Sequence, residues 1–148
     1  MLTAASNHPT LELRVGEAEE ASVFGRNLAE ERERYGLASR ALLQKGDVPG
    51  TRLTVTWVDV APGSGQRLHY HDAEQVYVVL EGRGRMRVGD QEREVGSGDL
   101  VYVPSGAKHG IENASQETLV YVSAATPAMD VEAAYDTGGL RRDGREET

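Results

Sequence analysis

HYHDAEQVYVVLEG, running from His69 to Gly82, decides how this 148-residue chain is read. Two histidines spaced two apart share one face of an extended segment. Gln75 lies four residues beyond His71, an even offset that aims it at the same face. From Gln75 the run QVYVVLE is a strand, apolar on both faces and so expected to be buried on both, and Gly82 ends it. Two adjacent imidazoles can chelate a divalent ion if a neighbouring strand brings one or two more ligands. Gln75 stands where a carboxylate would be the stronger ligand.

Outward from this stretch the sequence is a series of short strands and turns. RLTVTWVDV (Arg52–Val60) alternates, with Leu53, Val55, Trp57 and Asp59 on one face and Thr54, Thr56, Val58 and Val60 on the other. APGSGQ (61–66) is a turn, and RMRVGDQEREV (85–95) reads as a hairpin around Gly89-Asp90. GSGD (96–99) turns again, LVYVP (100–104) is a strand stopped by Pro104, and ETLVYVSAA (117–125) is the last strong strand. Upstream, LELRV (11–15) reads as a short strand. EAEEASVFGRNLAEERERYG (17–36) is charge-rich without an apolar stripe and reads as a loop with a short helical turn. Residues 1–10 and the tail 136–148 are expected to be flexible, and 129–135 to form a helical turn. No internal repeat is evident. Short strands with no long helical pattern between them predict an all-β fold, an antiparallel barrel or sandwich with its core over residues 40–126.

Composition narrows the function. A chain of this length fits one domain that needs no staples, so residues 1–148 are read as one unit. It has no cysteine, which excludes thiolate ligands, a cysteine nucleophile and disulfides, and suits the cytoplasm. The N-terminus lacks the basic and apolar regions of a secretory signal, and no run approaches the roughly 18 apolar residues of a membrane span. A net charge of −8 argues against nucleic-acid and anionic-membrane partners, which call for a basic patch.

Two segments carry the chemistry. The first is Gly63, five residues, His69, one, His71, three, Gln75, six, Gly82. The second is Gly98, five residues, Pro104, one, Gly106, two, His109, three, Asn113. Taken alone, a His-x-His pair is more often hydrogen-bonded than metal-bound. Together the two segments resemble the two motifs of the cupin superfamily. The second matches at every defining position, and the first matches except at Gln75, where the family usually has a glutamate. The resemblance implies a small β-barrel, or jelly roll, with one divalent metal ion (nickel, zinc, iron or manganese) at one end. It implies His69, His71, Gln75 and His109 as the ligands, with the glycines and proline as scaffold and Asn113 bonding backbone. Glu74 would replace Gln75 only through a bulge.

A glutamine brings a neutral oxygen, so three imidazoles and Gln75 leave the ion's charge uncompensated. Metal affinity should fall, the ion should be a stronger Lewis acid, and an anionic ligand should be attracted. Arg67, two residues before His69, is a candidate clamp for a substrate carboxylate. Tyr77 shares the parity of Gln75 and is a candidate cavity wall or proton donor. Trp57 is a candidate stacking surface, with packing the stronger expectation. The expected function is a small metalloenzyme doing non-redox isomerase, lyase or cyclase chemistry on a small anionic molecule such as a sugar acid. A metal-dependent dioxygenase and a non-catalytic sensor are the alternatives. A homodimer is expected from the resemblance.

Overall fold

The computed structural model describes residues 10–15, 19–129 and 141–142. Thirteen strands follow in order: β1 (Thr10–Val15), β2 (Glu19–Phe24), β3 (Glu31–Arg34), β4 (Leu37–Leu43), β5 (Thr54–Val60), β6 (His69–Tyr70), β7 (Glu74–Glu81), β8 (Arg83–Val88), β9 (Gln91–Gly96), β10 (Leu100–Val103), β11 (His109–Glu112), β12 (Leu119–Thr126) and β13 (Arg141–Arg142). The only helix among the described residues is one 3₁₀ turn, Arg26–Leu28, too short to cross a membrane. Every strand pairing is antiparallel.

A six-stranded sheet runs β10-β7-β12-β5-β4-β3 and a five-stranded sheet runs β13-β6-β11-β8-β9. Val58, Val60, Tyr77, Val79, Leu119 and Tyr121 of the first pack in one core with Met86, Val95 and Ile111 of the second. The two sheets therefore face each other as a jelly roll, the all-β fold expected from the sequence. β8 and β9 meet through the two-residue turn at Gly89-Asp90. Gly82, at φ +80°, lets β7 pass into β8, and a Cβ there would lie 2.5 Å from the Thr118 carbonyl oxygen.

The inner face of the six-stranded sheet is laid out in rows. Register aligns Gln75 with Ala125 and Thr54, then Tyr77 with Ser123 and Thr56, then Val79 with Tyr121, Val58 and Ser39. The face thus grades from polar, at the end carrying Gln75, to apolar at the other.

Two expectations change. Residues 17–36 are not mainly loop: β2 and β3 flank the 3₁₀ turn. β3 (ERER) is fully exposed at the sheet edge and pairs with β4, so its strand state is set by pairing and by the Arg40–Glu31 ion pair rather than by apolar alternation. β7 is buried on one face only: Gln75, Tyr77 and Val79 are buried, whereas Val76, Val78 and Leu80 are half-buried. Of the proposed C-terminal helical turn, only Met129 lies within the described residues, and of the tail only Arg141 and Arg142, which pair with β6. Residues 1–9 also lie outside them.

Candidate metal centre

β6 delivers His69, the bend after it delivers His71, β7 delivers Gln75 and β11 delivers His109. His69 and His109 are direct register partners across β6 and β11, with ring centroids 4.3 Å apart. The turn at Pro104–Gly106 is tied to the first segment by the Gly106 N–H, which donates to the His71 carbonyl at 2.9 Å. Gly106, at φ +79°, can make that turn where a residue with a side chain would be strained. The nitrogens that His69, His71 and His109 can offer lie within 4.8 Å of one another, and the three residues, all buried, could hold a metal ion.

The ring orientations are fixed by one repeated device. Nδ1 of His69 lies 2.7 Å from the Arg67 carbonyl oxygen, Nδ1 of His71 2.8 Å from that of Ala73, and Nδ1 of His109 2.8 Å from that of Ala107. A carbonyl only accepts, so each Nδ1 carries the proton and, in the neutral ring, each Nε2 keeps its lone pair. Gln75 Oε1 lies 3.0 Å from His71 Nε2 and 3.1 Å from His109 Nε2. Three acceptor atoms, two imidazole lone pairs and a carbonyl oxygen, therefore converge with no proton between them. A cation satisfies this arrangement, so the donor set fits a divalent metal. Burial pushes the His109 imidazole down from 6.5 to about 4, against its bond to Ala107 and helped by His71, which keeps the ring neutral near pH 7.

Glu74 is exposed and accepts a hydrogen bond from the Tyr102 hydroxyl at 3.2 Å, whereas Gln75 is turned inward. Tyr77 is fully buried, stacks on Tyr121 at 4.8 Å, and donates its hydroxyl proton to Gln66 Oε1 at 2.8 Å. Both tyrosines line the cavity at the His69 and His71 end.

Arg67 and Trp57 stand elsewhere. The Arg67 guanidinium lies 4.6 Å over the Tyr35 ring and is not part of the cavity wall. Trp57 occupies the opposite face of β5 from Thr56 and Val58, beneath the Arg26 guanidinium at 4.8 Å. The segment before β6 is not a regular strand, so alternation from His69 does not carry back to Arg67; its neighbour Gln66 enters the cavity instead. Gln66, Ser39, Thr54, Thr56 and Ser123 are wall residues that sequence reasoning did not single out. The signal available for two of them was Thr54 and Thr56 sharing a face with Val58 and Val60. Asn113 is buried and donates to the Val60 and Glu117 carbonyls, bracing the end of β11.

Comparison with known proteins agrees with this geometry. The cupin domain family matches residues 56–125. The protein MJ1618 of Methanocaldococcus jannaschii is 33% identical over 93 residues, covering 62% of this chain and 74% of that one. The tetracenomycin polyketide synthase protein TcmJ of Streptomyces glaucescens is 33% identical over 81 residues, and the chain spans about half of it, 54% of each being covered. The structure of the polyketide cyclase RemF from Streptomyces resistomycificus superposes with a TM-score of 0.66 at 23% identity, over 83% of this chain and 85% of that one. With its two motifs, jelly roll and inward histidine triad, the chain belongs to the cupin superfamily.

Proposed function

We propose that the protein is a metal-dependent enzyme of non-redox type, a cyclase, isomerase or lyase acting on a small, carbonyl-rich molecule. The observation that carries this is the convergence of Gln75 Oε1 with the Nε2 atoms of His71 and His109, beside His69. His69, His71, His109 and Gln75 would hold a divalent ion there, and it would supply Lewis-acid chemistry at a substrate oxygen. The four ligands are neutral, so the anionic oxygen of a substrate is drawn to this end of the cavity.

The wall supports the same reading. Among the described residues it contains no lysine, arginine, aspartate or glutamate, which favours the metal end over Arg67 as the place of a substrate's negative charge. Tyr77 and Tyr121 form an aromatic floor suited to a flat, oxygenated body. The likeness to TcmJ, a polyketide synthase protein, favours enolisable carbonyls or phenols over sugar acids. Tyr77, with its proton committed to Gln66, positions the substrate rather than donating to it.

The test is turnover of polyketone or hydroxyaryl ketone substrates by metal-loaded and chelator-stripped protein under air and under nitrogen. Metal-dependent product formation without oxygen uptake is expected. Oxygen consumption tied to turnover would replace this reading with a dioxygenase, and binding without turnover would replace it with a sensor.

The protein partner in this proposal is a second copy of the chain, seated on the outer face of β7 and β10. Val76, Val78 and Leu80 there are half-buried, and Leu100 and Tyr102 are 60% and 52% exposed. None of the five bears a charge, and Glu74, the carboxylate on the same face, is bonded to the Tyr102 hydroxyl at the edge of the patch. Sedimentation should give a dimer that Leu100→Asp converts to monomer; a monomeric wild type would contradict it.

A further inference from the structure

Thr56 and Ser123 sit directly opposite each other across β5 and β12, with their hydroxyl oxygens 2.6 Å apart. Both line the metal-end cavity; Ser123 is 4% exposed and Thr56 half-buried. Among the described residues, each hydroxyl is the other's sole hydrogen-bond partner. Two hydroxyls carry two protons, and only one can lie between the oxygens. The second proton is given to no acceptor among the described residues and is left for a ligand or water in the cavity. Valine at both positions would suit the strands as well and would leave no polar group unsatisfied.

The pair's place in the sheet indicates what it serves. Ser123 aligns with Tyr77, one inward row from the row of Gln75 and Ala125. A diagonal step between such rows is on the order of 7–8 Å. A molecule whose anionic oxygen rests at the histidine end and whose body lies over Tyr77 would bring a second oxygen to the two hydroxyls. Among the described residues no charged side chain lines the cavity there. Resting on the function proposed above, we infer that Thr56 and Ser123 are specificity-determining residues that select a substrate with a neutral hydroxyl or carbonyl oxygen at the end remote from the metal ligands.

A matched pair of probes tests this. Kojic acid and allomaltol carry the same chelating hydroxypyrone and differ in one distal hydroxyl, present in kojic acid and absent in allomaltol. Each is titrated into cobalt-loaded protein and read from the visible cobalt bands. Wild type should bind kojic acid about 5–10-fold more tightly than allomaltol, the contribution of one hydrogen bond. Thr56→Val and Ser123→Ala should each bring the two probes to within about twofold, leaving allomaltol affinity unchanged, and Thr56→Ser should retain discrimination. Equal wild-type affinities, or variants that weaken both probes alike, overturn the inference while leaving the metal site standing. A wild-type protein that takes up neither cobalt nor any of nickel, zinc, iron and manganese overturns the metal reading and this inference with it.

Discussion

The two faces of the six-stranded sheet come from the same strands and do opposite work. Inward, β7 presents Gln75, Tyr77 and Val79, and β12 presents Ser123 and Tyr121, each buried and hydrogen-bonded or packed. Outward, β7 presents Val76, Val78 and Leu80, and β10 presents Leu100 and Tyr102, all at least partly open to solvent. Alternation along each strand is what separates them. The inner residues are constrained by what they must hold within the chain, whereas the outer ones are packed against nothing so completely and are open to a second copy.

The largest contrast should be in stability. Leu119→Ala, at a position with no exposure beside Gly82 and Val60, should cost about 2–5 kcal/mol through the lost side chain and the cavity left behind. Leu100→Ala, at 60% exposure, should stay within about 0.5 kcal/mol in dilute protein. Urea unfolding of both variants checks this, and equal losses would erase the distinction between faces.

Protons sharpen the contrast next. With His109 held down at about 4 from an ordinary 6.5, the unfolded chain takes up a proton between those values that the folded chain refuses. This group's contribution to stability is therefore complete above pH 6.5 and lost as pH falls toward 4, by about 3 kcal/mol at most. Metal-free protein should show that loss in unfolding curves across the window, and His109→Asn should flatten it.

The smallest effects separate adjacent residues of one strand. Gln75→Glu should tighten divalent-metal binding by roughly tenfold, because it returns a negative charge to the ligand set. Glu74→Gln, on the exposed face, should leave it within about twofold. Competition with a chromogenic chelator measures both. An effect from position 74 and none from position 75 would invert the assignment of faces.

How far the sequence went follows the same line. The strands from Arg52 to Ala125 were legible because β-rich runs alternate with glycine turns, and the histidines because their spacing within two framed segments is specific. β2 and β3 were not, since these charged strands owe their state to pairing with the neighbouring strand of a hairpin rather than to apolar alternation. Trp57 and Arg67, both candidate ligand contacts, stand outside the cavity wall for different reasons. Alternation groups Trp57 with Val55 and Asp59 but does not say which face turns inward, and parity fails at Arg67, where the chain leaves regular strand geometry. The carbonyls that fix each Nδ1 belong to backbone and leave no trace in residue type.

The convergence of acceptors at Gln75 is the centre of the account, and metal content tests it most directly. Protein purified without chelators and loaded in turn with nickel, zinc, iron and manganese should retain about one divalent ion per chain, and His109→Ala should bind it at least about 100-fold more weakly. A folded wild type that retains none of the four, or a His109→Ala variant that matches it, would contradict the account.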